Sequence, residues 1–247
     1  WLHHSLSELD ERLREKGSVL VLRRGAASDV LPALVGETGA GAVFWNRRYG
    51  GPEREIDAGV KDGLRGDGVE VTSFAGSLLY EPWTVRTGAG TPYGVFTPFW
   101  NACRQLPAPR APIPEPRELR GPRRHPASDG LAEWELLPTS PDWASGLRER
   151  WEPGERAAKA RLREFLADDA ADYDRARDEP AAGATSLLSP RLRWGELSPH
   201  EVWHAAVSSD AQVGGFLSEL GCREFAWHTL FHFPDLATKN LRSAFDA

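Results

Sequence analysis

Between Leu2 and Phe74 the chain alternates two apolar rhythms, and this alternation restricts the fold more than any other feature of the sequence. Leu2, Leu6, Leu9 and Leu13 recur at helical spacing with charges between them, and Gly17 stands where such a helix would stop. Val19, Leu20, Val21 and Leu22 form a short continuous apolar run, the form of a strand buried on both faces. Asp29 to Val35 reads as a helix and Gly41 to Trp45 as a second buried strand. Pro52 to Leu64 is helical by its Ile56, Val60 and Leu64 stripe, and Val69, Val71 and Phe74 read as one more strand. Strands alternating with helices imply a parallel, doubly wound sheet. Such a sheet normally begins on a strand, so the opening helix implies that one or more β-α units are missing before Trp1.

The rhythm breaks at Pro82. From there to Pro153 proline and glycine are dense, Pro107 to Pro126 is rich in Pro and Arg, and the stretch reads as a long connector on the surface. Beyond Trp151 the pattern turns helical, most clearly at Ala157 to Leu166, Glu201 to Val207 and Phe216 to Phe233. The expected fold class is therefore α/β then all-α. A truncated Rossmann-like parallel-sheet domain over 1–80 is joined by a linker over 81–150 to the first part of a helical domain over 151–247. No run approaches the roughly 18 apolar residues that span a bilayer, and the start lacks a charged segment followed by an apolar one. A cytoplasmic protein without a membrane partner is expected. The net charge of -6 gives no overall basic footprint, so any contact with nucleic acid has to rest on a local patch. Cys103 and Cys222 are too few for a disulfide framework or a zinc site and are read as buried thiols.

Two stretches carry polar groups in patterns that could do chemistry. In Thr185-Ser186-Leu187-Leu188-Ser189-Pro190, hydroxyls precede a helix start, with Ser189 read as N-cap and Pro190 at the first helical position. Exposed amides and hydroxyls there could hold an anion, or they could be ordinary caps. Ser198 with Glu201 three residues on has the form of a capping box. In the second stretch Glu219 and Arg223 lie four apart, so a carboxylate and a guanidinium share one face of a helix that is otherwise strongly apolar. The pair is either a solvated salt bridge or the polar part of a ligand pocket. His228 and His232 are also four apart but have no third ligand in reach, so no metal site is expected.

Taken together, Tyr173, Arg177-Asp178, Thr185-Ser186-x-Leu188-Ser189-Pro190, Gly195, Ser198 and Glu219-x-x-x-Arg223-Glu224-Phe225 resemble the FAD-domain signature of class I DNA photolyases and cryptochromes. Trp45-Asn46-Arg47-Arg48-Tyr49, Glu53-Arg54, Asp57 and Val95-Phe96-Thr97-Pro98-Phe99 resemble the antenna domain and connector of that family. The resemblance covers nearly the whole chain, in the family's order.

It implies FAD held by Tyr173, Thr185, Ser186, Leu187, Leu188, Ser189 and Arg223. Arg177, Glu219, Cys222, Arg223 and Ala226 would face UV-damaged DNA, whose pyrimidine dimer is flipped out of the duplex into the cavity. Glu219 would be the catalytic residue, stabilising the dimer by hydrogen bonding as it accepts an electron from light-excited reduced flavin. Glu53 would touch an antenna pigment, methenyltetrahydrofolate or an 8-hydroxy-deazaflavin. The implied activity is photoreactivation, a light-driven carbon-carbon lyase reaction on DNA carried out by a monomer. The alternative is a cryptochrome-type blue-light receptor that binds FAD without repair. A free-standing nucleotide-binding module is disfavoured, because no Gly-x-Gly-x-x-Gly follows a strand.

Two positions depart from the family pattern. Cys222 stands where the family has a tryptophan that stacks on the flipped dimer, and Pro52-Glu53 stands where folate-binding members have Asn-Glu. The family's remaining flavin contacts and its tryptophan chain should lie beyond Ala247. The chain alone is therefore expected to hold FAD poorly and to be inactive.

Overall fold

The computed structural model describes residues 1–122 and 124–246. In chain order the helices and strands are α1 (Leu2–Glu15), α2 (Ala27–Thr38), β1 (Ala42–Asn46), α3 (Gly51–Gly66), β2 (Glu70–Phe74), α4 (Phe96–Cys103) and α5 (Ser145–Arg150). Then follow α6 (Glu155–Glu164), α7 (Tyr173–Ala176), α8 (Ser189–Trp194), α9 (Pro199–Val207) and α10 (Gly214–His232). The α/β alternation followed by helices is the expected class.

β1 and β2 pair in parallel, with Ala42 opposite Glu70 and Asn46 opposite Phe74. The α3 stripe does what its spacing foretells: Val60 and Leu64 are buried against Val71, with Leu31, Val35, Val43 and Trp45 packed around them. Val19–Leu22 is a correction. It runs without regular structure and pairs with neither strand. Its backbone groups are satisfied elsewhere: the Leu20 amide donates to Asp10 Oδ1 at 3.0 Å, the Leu22 amide to Ser128 Oγ at 2.9 Å, and the Leu22 carbonyl accepts from Asp129 N at 2.8 Å. An apolar run becomes a strand only where a neighbouring strand offers a ladder.

The stretch read as a surface connector contains a buried helix. On α4, Phe99 and Trp100 are buried and Cys103 is 0% exposed. Pro98 disguises this helix in the sequence, yet it falls in the first turn, where the amide it lacks has no intrahelical partner. α4 packs on α10 at Gly221, where an added Cβ would lie 2.6 Å from the Trp100 ring. The larger core, in the second half of the chain, gathers Leu162, Phe165, Tyr173, Leu188, Leu197, Val202, Phe216 and Leu220. Leu79, from the loop after β2, is buried in this same cluster.

α1 is tied to the helical half by buried polar groups. Glu196 Oε1 accepts from Trp1 Nε1 and from the Gly154 amide, both at 2.7 Å, and its other oxygen lies 3.4 Å from Arg191 Nη1. A buried carboxylate tolerates desolvation only with such a full set of donors. The capping box at Ser198 is present: the Glu201 amide donates to Ser198 Oγ at 3.1 Å and the Ser198 amide to Glu201 Oε2 at 2.9 Å. Ser189, read as an N-cap, is instead the first residue of α8, with Leu188 at the cap position. Cys222 is half-buried rather than buried.

Candidate functional site

One cavity of about 520 Å³ brings the two halves of the chain together. The turn leading into α3 supplies Arg47, Arg48, Tyr49 and Gly50, the first turn of α3 supplies Glu53, and the loop after β2 supplies Ser77. The opposite wall is helical: Tyr173 from α7, Ser186 and Leu188 from the loop entering α8, Ser189 from the start of α8, and Glu219, Arg223 and Trp227 from α10. Leu192, Val202, Phe216 and Leu220 form its apolar floor. Hydroxyls and guanidiniums over an apolar floor suit a ligand that joins a polar, anionic part to a flat ring system.

Each wall is fixed by a specific device. Tyr173 is buried, edge-on to Phe165 at 5.6 Å and to Phe216 at 5.7 Å, and burial raises its phenol pKa. The 185–188 loop is held from behind by Arg161 of α6, which donates from Nη2 to the Thr185 carbonyl at 3.0 Å and from Nε to the Ser186 carbonyl at 3.2 Å. Between them and Leu188, Leu187 takes a left-handed backbone, φ 58°, which a branched side chain adopts only under constraint. Tyr49 donates to Glu81 Oε1 at 3.2 Å, and Arg47 pairs with the same carboxylate. At the mouth, Arg177 pairs with Glu219 and lies 5.8 Å over the Tyr173 ring. Glu219 does not pair with Arg223 four residues on, as helical spacing suggested. Arg223 turns instead to Glu224 Oε1, 3.0 Å away, and donates to the Ser77 carbonyl at 2.9 Å.

Tyr173, Ser186, Leu188, Ser189, Glu219 and Arg223, which the sequence grouped by resemblance, line one space, and the chain as a whole is similar to known proteins. The family model for DNA photolyase matches residues 1–117. A deoxyribodipyrimidine photo-lyase of Agrobacterium fabrum is 45% identical over 100% of this chain and 53% of its own length. The chain belongs to the DNA photolyase and cryptochrome family. The crystal structure of a bacterial class III photolyase from Agrobacterium tumefaciens superposes with a TM-score of 0.96 at 45% identity, covering 100% of this chain and 52% of that one. Cryptochrome-1 of Arabidopsis thaliana is 31% identical over 95% of this chain and 36% of its own length. The chain thus spans about half the length of the photo-lyases it matches.

Within this photolyase-family fold the expected site residues divide into two groups. Tyr173, Ser186, Leu188, Ser189, Glu219, Arg223 and Glu53 line the cavity. Glu53, expected at an antenna contact, lines this same cavity from the α3 side, opposite the helical wall. Thr185, Leu187, Arg177, Cys222 and Ala226 do not line it. Thr185 acts through its carbonyl, Arg177 sits at the mouth, and Cys222 and Ala226 follow Glu219 by three and seven positions on the outer face of α10. His228 and His232 serve the fold, with His228 Nε2 accepting from the Tyr93 amide at 3.2 Å and His232 Nε2 lying 3.1 Å from the Pro82 carbonyl. Among the described residues no cluster of metal-ligating side chains occurs. Sequence reasoning missed Arg193, Trp227 and Ser77 in the cavity lining and Arg161 behind the 185–188 loop, none of which has a local pattern that marks it.

Proposed function

We propose that this chain forms the flavin-facing and DNA-facing wall of a light-dependent enzyme that repairs pyrimidine dimers. The observation that carries the reading is the convergence of Tyr173, Ser186, Leu188, Ser189, Glu219 and Arg223 on one cavity in a chain 45% identical to a named deoxyribodipyrimidine photo-lyase. The residues fit FAD: hydroxyls at Ser186 and Ser189 and the guanidinium of Arg223 suit its phosphates and ribityl chain, and the floor of Leu192, Val202, Phe216 and Leu220 suits a flat ring. When bound and reduced, a flavin supplies the light-driven electron that opens a dimer. The chain's own residues then have distinct tasks. Tyr173 and the 185–189 loop hold the cofactor, Glu219 faces the flipped base as hydrogen-bonding partner, and Arg177 meets the DNA backbone at the mouth. Glu53 lines the cavity given to the flavin and so would serve that ligand rather than a separate antenna pigment, and residues 1–80, 81–150 and 151–247 act as α/β unit, connector and helical unit of a cytoplasmic monomer.

The cryptochrome reading is favoured by one observation. Cys222, on the outer face of α10 beside Glu219, offers no aromatic surface for a base, and a stacked base is worth about 1–3 kcal/mol. Repair of a dimer-containing oligonucleotide by the full-length protein that contains this chain, assayed with flavin in light and in darkness, decides between the two. Repair confined to the light supports the photo-lyase. Flavin uptake without repair supports the receptor.

A further inference from the structure

Glu224 is 2% exposed and lies one residue beyond the cavity wall, on the inner face of α10. The sequence places it in the Glu219-x-x-x-Arg223-Glu224-Phe225 motif without giving it a role of its own. In the fold it is a junction. Its Oε2 accepts from the amides of Leu79 at 2.7 Å and Tyr80 at 3.4 Å, and its Oε1 lies 3.0 Å from Arg223 Nη1. Arg223 in turn donates to the Ser77 carbonyl at 2.9 Å, and both Arg223 and Ser77 line the cavity. Two consecutive residues of α10 therefore grip one loop of the α/β half, the first by a carbonyl and the second by two amides. The grip fixes where the Arg223 guanidinium stands relative to the cavity.

We infer that Glu224 is the positioning residue of the cavity: its ionised carboxylate holds Arg223 against the 77–80 loop, and a proton on Glu224 releases the guanidinium. The inference rests on the flavin-holding reading of the cavity for its functional consequence. Desolvation pushes the Glu224 carboxyl up to about 7, against the lowering effect of Arg223 and the two amides, so its proton exchanges near neutrality. The other titratable groups facing it are Tyr80 from the loop and Cys103 from α4. Burial pushes both up to about 12, so both stay neutral in this range. A purely structural carboxylate with a raised pKa favours the fold less as pH rises from 4.5 towards 7, since the folded state holds a proton that the unfolded state has lost. Positioning makes the opposite demand on ligand binding, which weakens as pH falls through the same region.

Two measurements on the full chain test this. The side-chain Nε–H resonance of Arg223, followed by NMR without flavin, is expected to shift in one step with a midpoint of about 7, and in Glu224→Gln to stay at its low-pH position. A resonance that is flat in the wild type, or the same step in Glu224→Gln, overturns the inference. In the second measurement the FAD dissociation constant is expected to rise about tenfold from about pH 8 to about pH 6, and to be insensitive to pH in Glu224→Gln. FAD binding that is equally tight at both values overturns the coupling. If the full-length protein that contains this chain takes up no FAD at any pH, the flavin reading alone is sunk, because the Arg223 resonance still decides the role of Glu224.

Discussion

Arg177 and Glu219 form an ion pair across the mouth of the cavity, though 42 residues separate them in the chain. Both side chains are partly exposed, so the pair adds little to stability. It commits each group to the other until something displaces it, and a DNA phosphate is the natural competitor for a guanidinium. On the proposed reading, Arg177→Ala weakens damaged and undamaged duplexes together and lowers the slope of log affinity against log salt by about one. Fluorescence anisotropy at several salt concentrations measures this. A change in the ratio of damaged to undamaged affinity would instead make Arg177 a reader of the lesion.

Arg161 makes a second prediction because it holds a strained loop without touching the cavity. Its guanidinium, 16% exposed, serves the carbonyls of Thr185 and Ser186 and pairs with Asp169 at 2.9 Å. Arg161→Ala removes the donors of two carbonyls that water reaches in part, at a cost of about 0.5–1.5 kcal/mol, and frees Leu187 from its left-handed backbone. The expected outcome is a melting temperature lower by about 2–4 °C per kcal/mol, together with weakened FAD binding. An unchanged flavin affinity would show that the loop keeps its shape without Arg161.

The contact of Gly221 with Trp100 yields a third. An added methyl would meet the indole at 2.6 Å, inside van der Waals contact, in a region where Phe99 and Cys103 leave no slack. Gly221→Ala is expected to destabilise the fold by about 1–3 kcal/mol, and Trp100→Leu in the same chain to recover part of the loss. Urea unfolding midpoints of the two single variants and the double variant measure it. Strictly additive losses would place the strain elsewhere.

These residues also show how far the sequence could be read. α1, α3 and α10 were legible because each has an amphipathic stripe or a long apolar run that local spacing reveals. Val19–Leu22 was misread because strand formation depends on a neighbour rather than on the run itself, and α4 was missed because Pro98 looks like a breaker wherever it stands. The Glu219–Arg223 pairing failed for a related reason. Helical spacing permits the pair, but Arg177 draws Glu219 from 42 residues away, and Arg223 turns to its neighbour Glu224 and to the Ser77 carbonyl of the α/β half. Residues contributed by the α/β half, such as Arg47 and Ser77, reach the cavity only through the packing of the two halves, which no local pattern encodes.

His228 gives the last prediction, concerning acid stability. The residue is 1% exposed, its Nε2 accepts from the Tyr93 amide, and its ring stands 4.8 Å from Phe99. A proton on Nε2 would set one N–H against another in an apolar site, and burial, together with nearby His232, lowers the pKa from 6.5 to about 4. The unfolded chain takes up that proton below 6.5 while the folded chain refuses it until about 4, so the unfolded state binds more protons between these values. Stability from this group is full above 6.5 and is lost progressively as pH falls towards 4, the reverse of the Glu224 contribution. His228→Gln can still accept from Tyr93 but does not titrate, so it is expected to flatten the acid limb of the stability curve while costing some stability at neutral pH. Denaturant midpoints across the acid range check this. An acid limb as steep in His228→Gln as in the wild type would assign the loss to other groups.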